Sequence, residues 1–296
     1  LNTKVLLTAG LFFKLRDCEF CKRIMRRIKH WIKLYFQSLV YRQKRSDKRR
    51  IAMESFLDNN MFAAKTRLDR ASFDIFTYHG EDGIIGYLLR NLGNVKKKFI
   101  DIGAGDCITG NCACLAVHYN WSGVFIDANK NQLSIGKRFY KSNGKVKFVE
   151  TLVAPDTIDE LLSTLCNGEE VGLLSIDIDG NDYWIWKAIE TIKPAIVVIE
   201  AKIEYGIQEV IVPYSIENNR NNNEMYNGAS VKAFEKLGKR KGYKLVGANK
   251  QGYNLFFVRA DATYNASPAE ALLANINIQQ CFYPNSFFNQ YEFVTE

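Results

Sequence analysis

A chain of 296 residues is long enough for one large domain with an extension, or for two small domains. Its 47% hydrophobic and 24% charged residues are ordinary for a globular protein, and no apolar run reaches the ~18 residues a membrane-spanning helix needs. The net charge of +8 is uneven: residues 1–50 hold 15 Lys/Arg against 3 Asp/Glu, and the rest holds 25 against 29, so arguments about anionic partners belong to the first fifty residues.

The chain opens on Leu1 rather than Met, which suggests that natural residues precede it. Val5–Phe13 has the apolarity of a signal peptide, but basic residues follow it where a small-residue cleavage site belongs. From Cys21 to Leu39 the apolar residues Ile24, Met25, Ile28, Trp31, Ile32 and Tyr35 recur at steps of one, three and four. They form one stripe of a helix whose other faces are rich in Lys and Arg. Such a helix lies on an anionic membrane surface or packs on the main domain. The charged run Arg42–Arg50 reads as a linker, so residues 1–50 form a basic arm and residues 51–296 the domain proper, with its core at about 95–260. The seven cysteines are odd in number and lack the spacing of a disulfide framework or a four-ligand zinc site, which fits a reducing cytoplasm.

After a turn at Gly80, Ile84, Ile85, Leu88, Leu89 and Leu92 stand at helical spacing. A regular alternation follows. Strands are expected at Lys98–Ile102, Gly123–Asp127, Val146–Val149, Gly172–Ile176 and Ala195–Ile199. Helices are expected at Thr157–Leu165, with Thr157 and Glu160 as a capping box, and at Val231–Lys241, stopped by Gly242. Tyr243–Val246 and Asn254–Val258 then flank a turn and read as an antiparallel hairpin. The pattern predicts a Rossmann-like α/β domain: a seven-stranded, mostly parallel sheet with a C-terminal antiparallel hairpin and helices on both faces.

In such sheets ligands sit beyond the carboxyl ends of the strands, at the point where strand order reverses. The first strand delivers Asp101 there, followed by the turn Gly103-Ala104-Gly105, whose glycines let backbone approach a ligand closely. The second strand ends in Asp127-Ala128, about twenty residues on, where a carboxylate accepts from ribose hydroxyls. Leu152 and Val153, after the third strand, are placed to grip an adenine ring. The fourth strand runs into Asp177, Asp179 and Asp182. Three carboxylates in six residues are tolerated when they face water, share a proton or hold a divalent cation. Glu200, ending the fifth strand, should lie beside them, and Asp177, Asp179 and Glu200 are the candidate general bases. Lys202, Glu204 and Tyr205 open a long polar stretch that reads as a lid or substrate loop.

Taken in order, EDGII (Glu81–Ile85), FIDIGAGD (Phe99–Asp106), WSGVFIDAN (Trp121–Asn129), LLSIDIDGNDYWIW (Leu173–Trp186), VVIE (Val197–Glu200) and the segment Gly242–Arg259 resemble the FkbM-like branch of class I methyltransferases. The resemblance spans about residues 75–260. It implies S-adenosyl-L-methionine as methyl donor, O-methylation of a sugar or other glycan-type hydroxyl, donor contacts from Gly103, Gly105 and Asp127, and Asp177 at the transfer site. The usual third glycine of the loop is Cys107 here, and the acidic-glycine pair Asp179-Gly180 is extended by Asn181-Asp182. Competing readings are a catalytically degenerate binding or scaffold protein on the same fold and an NAD-linked oxidoreductase, the latter disfavoured by the incomplete glycine motif and the terminal hairpin. Nucleic-acid methylation is disfavoured by the lack of an N/D-P-P-Y/F-type motif after the fourth strand.

Overall fold

The computed structural model describes residues 45–58, 68–216, 225–274 and 282–294. The basic stripe at 21–39 and the pair Cys18/Cys21 lie outside them.

Seven strands, β1 Lys98–Ile102, β2 Ser122–Asp127, β3 Val146–Glu150, β4 Leu173–Ile176, β5 Ile196–Glu200, β6 Tyr243–Ala248 and β7 Asn254–Arg259, form one sheet in the order β3-β2-β1-β4-β5-β7-β6. The first five are parallel and β7 runs antiparallel to both β5 and β6. This is the Rossmann-like arrangement expected from sequence, with its switch point between β1 and β4. Helices fall at 45–58 (α1), Glu81–Leu92 (α2), Ala113–His118 (α3), Lys130–Phe139 (α4), Ile158–Cys166 (α5), Asp182–Ala188 (α6), Val231–Arg240 (α7), Ala269–Leu273 (α8) and Asn285–Phe288 (α9). Among the described residues no helix is long and apolar enough to cross a membrane.

The apolar runs of β1, β4 and β5 are continuous because both faces of the central sheet are covered. On one face Ile100, Ile102, Leu174, Ile176, Val197 and Ile199 pack with Leu162 of α5, Trp186 of α6 and Phe234 and Leu237 of α7, all buried. On the other, Asp101 and Ser175 sit side by side in register, and Asn111 Nδ2 donates to Ser175 Oγ at 3.0 Å. A polar seam therefore runs under the loop that follows β1.

Two local expectations are corrected. The charged run at 42–50 is not all linker, since α1 starts at residue 45. High charge does not oppose a helix when the pairs fall at i, i+4, as Arg50 and Glu54 do at 2.8 Å, while Met53 and Leu57 give α1 a buried stripe. The capping box at Thr157 does not form. Thr157 Oγ1 turns back to donate to Ala154 O instead of accepting from the helix, and Thr157 N–H, which Glu160 would receive in a capping box, donates to that same carbonyl.

Candidate functional site

The loop after β1 crosses the sheet edge at close quarters. Gly103 takes φ 80°, and a Cβ there would lie 1.6 Å from the carbonyl oxygen of Asp177, so only glycine fits. Its N–H and that of Ala104 both donate to Ile126 O, at 2.9 and 3.1 Å, binding the loop to the tip of β2. Gly105 takes φ 51° with no heavy atom within 4 Å of its would-be side chain. Asp106 Oδ1 accepts from the N–H groups of Ile108 and Thr109 and from the Thr109 hydroxyl, closing the loop's far end. Cys107, in the position of the third glycine, stands at φ 61°, in the left-handed region that glycine ordinarily fills. Its side chain packs where Gly136 of α4 leaves room, as a Cβ on Gly136 would come within 2.7 Å of it.

Asp127 faces this loop. Its Oδ2 accepts from Gly105 N–H at 2.8 Å and its Oδ1 from Asn129 N–H at 2.6 Å. The helix-capping role belongs to Asn129, whose Oδ1 accepts from the N–H groups of Asn131 and Gln132. Each oxygen of a carboxylate has two acceptor positions, so the clamped Asp127 keeps one position per oxygen for a hydroxyl. Between these tips opens a cavity of about 410 Å³, bordered by Gly103, Gly105, Asp127, Ala128, Leu152 and Asp177, with Val153, Ile178 and Asp179 completing its walls. Leu152 is 50% exposed at its lip, an apolar surface without cover.

Six of the expected donor-site residues thus meet at one crevice. Asp101 and Ala104 do not border it. Asp101 is buried beneath the loop, where Ser175 and Cys112 donate to its carboxylate. Burial pushes its pKa up to about 7 against the pull of those bonds. Asp101 supports the loop from below, because alternation along β1 turns it to the polar seam. Ile178, lying between two acids, carries no sequence signal that singles it out.

The carboxylate oxygens of Asp177, Asp179 and Glu200 lie within 4.8 Å of one another. Asp179 holds φ 58° and Gly180 φ 135°, a turn that swings Asp179 outward. Burial raises the pKa of Asp177, and the charges of Asp182 and Asp179 add to the rise. Burial likewise raises Glu200, with Asp177, Asp182 and Asp179 adding and Lys202 opposing. Asp182 is corrected out of the open cluster. It is buried, and its two oxygens accept from Ile178 N–H at 2.9 Å and Gly180 N–H at 3.0 Å, so it holds the shape of the turn that presents the others. Glu200 takes the third place.

The stretch after β5 is pinned rather than free. Ile211 bridges to Ala229 and Val294, Trp184 Nε1 donates to Val212 O at 2.9 Å, and Gly228 N–H donates to Gly180 O at 3.2 Å. Tyr205 is corrected as an acceptor contact: it is buried among Val210, Val212 and Phe287, with its hydroxyl donating to Asn227 O. Glu204 uses its carbonyl to receive Tyr283 N–H. Lys202 opposes the rise at Glu200 by its charge, and its N–H donates to Ala229 O at 2.9 Å. Tyr183 and Trp186, which follow the acids in sequence, pack in the core.

No family model matches the chain, and no curated protein matches it. Solved structures do. The N-terminal domain of EvdMO1 with S-adenosylhomocysteine bound shares 9% identity over 62% of this chain and 81% of its own, at TM-score 0.41. The same domain in the presence of S-adenosylhomocysteine and D-fucose matches over 71% of this chain and 96% of its own, with TM-score 0.40. An O-methyltransferase family protein from Burkholderia thailandensis shares 11% identity over 75% of this chain and 72% of its own, at TM-score 0.41.

Proposed function

We propose that this protein is an S-adenosylmethionine-dependent methyltransferase of FkbM-like type, acting on an oxygen of a sugar or glycan-type acceptor. The observation that carries the reading is the crevice itself: Gly105 and Asp127 are joined by a 2.8 Å hydrogen bond at a cavity that Ile102, Gly103 and Gly105 bound on the β1 side. An adenosyl group fits its chemistry. The ribose hydroxyls would take the remaining acceptor positions of Asp127, and the adenine would cover Ala128 and Leu152. The sulfonium end would then lie toward Asp177, whose neighbouring negative charge suits a cation.

Methyl transfer needs little covalent help, because the sulfonium is already activated. An acceptor oxygen attacks the methyl carbon, the carbon–sulfur bond breaks, and S-adenosylhomocysteine leaves neutral. Positioning supplies most of the rate, and one carboxylate among Asp177, Asp179 and Glu200 takes the acceptor's proton. A divalent cation on the same three groups would act by holding the acceptor oxygen instead, and addition of a chelator during turnover separates the two uses. The NAD reading loses ground on a specific feature. The glycine loop does not open straight into a helix: the helix that follows it in the chain, α3, begins only at Ala113, so the loop and its own helix do not form the continuous phosphate-binding turn of a dinucleotide site. The stripe at residues 21–39 of the basic arm is proposed as a contact for an anionic membrane surface.

Isothermal titration with S-adenosylhomocysteine and with NAD tests the reading. Micromolar binding of the former, weakened about 100-fold in Asp127→Ala, is the expected result. Absence of that binding, or preference for NAD, overturns it.

A further inference from the structure

Two buried acids open α2, and the adenosyl crevice uses neither. Asp82 Oδ2 accepts from three successive N–H groups, Ile75 at 2.7 Å, Phe76 at 2.6 Å and Thr77 at 2.9 Å, and from the Thr77 hydroxyl at 3.0 Å. Asp74 Oδ1 accepts from Gly80 N–H at 2.6 Å. The loop between them is therefore rigid, yet its tip presents Tyr78, 66% exposed, and the exposed His79.

Glu81 links that tip to the far hairpin. Its Oε2 accepts from His79 N–H at 3.1 Å, and its Oε1 from Asn249 Nδ2 at 2.7 Å and Asn254 Nδ2 at 3.0 Å. Asn249 in turn closes the β6–β7 turn by accepting Gly252 N–H. Tyr253, on this turn, is 40% exposed, and its ring meets that of His79 edge-on with centroids 6.2 Å apart. The hairpin is seated directly on the acid cluster's strand. Asn254 pairs opposite Glu200, and Tyr253 O accepts Ala201 N–H at 2.8 Å. Since the sheet runs β2-β1-β4-β5-β7, these aromatic groups lie across the acids from the adenosyl crevice, where an acceptor must stand. Glu81 is also among the charges felt by Asp177, as its place behind the cluster requires.

We propose that Glu81 is a positioning residue for the methyl acceptor, setting His79 and Tyr253 as a wall on which a neutral pyranose ring rests while its hydroxyls face Glu200 and Asp177. The inference rests on the methyltransferase reading. Its chemistry is specific. Aromatic faces take the C–H face of a sugar ring and carboxyl groups share hydrogen bonds with its hydroxyls, while the burial and mutual repulsion that raise the pKa of Asp177 and Glu200 oppose a further carboxylate beside them. A neutral glycoside therefore fits and a uronate does not.

The test is saturation-transfer NMR on the full chain with S-adenosylhomocysteine present, using neutral methyl hexopyranosides and methyl glucuronoside as probes. The wild type should saturate ring protons of a neutral glycoside and not of the glucuronoside. Tyr253→Ala and Glu81→Gln should each weaken glycoside binding by about tenfold. Tyr253→Phe should retain it, and donor-product affinity should stay within about twofold in all three. Glycoside binding equal to wild type in both weakening variants overturns the inference, as does a wild type that binds S-adenosylhomocysteine but no neutral glycoside. Failure of the wild type to bind S-adenosylhomocysteine overturns the methyltransferase reading instead, and this inference with it.

Discussion

Gly103 and Gly105 stand two residues apart in one loop, both in the left-handed region, yet replacing each by alanine should have different consequences. At Gly103 the added methyl carbon would lie 1.6 Å from Asp177 O, about half a normal contact distance, and the obstacle is backbone. The left-handed conformation costs roughly 1–2 kcal/mol with a side chain, and the forced shift of the β4–α6 turn about 1–3 kcal/mol more. Together these predict a loss of about 2–5 kcal/mol, or a Tm drop on the order of 10 °C for a domain of this size. Binding of S-adenosylhomocysteine should fall with it, because the same shift moves Asp177. At Gly105 nothing lies within 4 Å, so only the conformational cost of about 1–2 kcal/mol applies. The methyl would instead project toward the crevice and weaken S-adenosylhomocysteine binding by about tenfold or more. Differential scanning fluorimetry and isothermal titration on both variants read the two quantities apart. A Gly103→Ala protein with wild-type Tm and affinity would refute the close approach of loop and strand. Equal destabilisation by the two substitutions would refute the assignment of Gly105 to the open side.

The buried acids predict a pH dependence of stability. Asp177 and Glu200 hold their protons more tightly folded than unfolded, Asp101 has its pKa raised to about 7 and Asp82 to about 6. Their favourable contribution is complete below the ordinary carboxylate range, about pH 4, and is lost as pH rises through the raised values, so Tm should fall steadily from pH 5 to pH 9. Asp177→Asn should flatten that slope, with full turnover in the same variant removing Asp177 as the base, and a Tm that climbs over this interval would contradict the raised pKa values. Asp182→Asn should cost more than Asp179→Asn, by about 1–3 kcal/mol in urea unfolding, because only Asp182 anchors two backbone N–H groups; the reverse order would return Asp182 to the open cluster. For the basic arm, flotation with liposomes of anionic lipid should be lost on truncation to Ile51, and equal flotation of both proteins would end the membrane proposal.

The features legible in sequence were those written in local patterns. Period and punctuation placed each of the seven strands to within two residues at either end, as at β1, and the antiparallel close of the sheet followed from one turn between two apolar runs. The paired glycines and Asp127 declared the crevice because tight backbone turns and a lone acid at a strand tip are uncommon in a buried sheet. The capping of α5, the start of α1 and the division of labour among the acids were not legible. Each depends on which of several nearby polar groups reaches a given partner, as Ala154 O takes the Thr157 hydroxyl and Asp182 takes Ile178 and Gly180 N–H, and that is decided by the folded turn and not by residue type.

Composition and periodicity by themselves determined the layered architecture and the sheet edge that faces a ligand, since hydrophobic spacing dictates which residues can be buried together. Only the tertiary structure decided which carboxylates are open and which are spent. Asp182 and Asp82 are committed to backbone amides, Asp101 lies under the loop, and Glu81 reaches across to Asn249 and Asn254, more than 160 residues away. A charged side chain looks alike in sequence whether it meets solvent or a backbone N–H, and only folding brings the partner that distinguishes them.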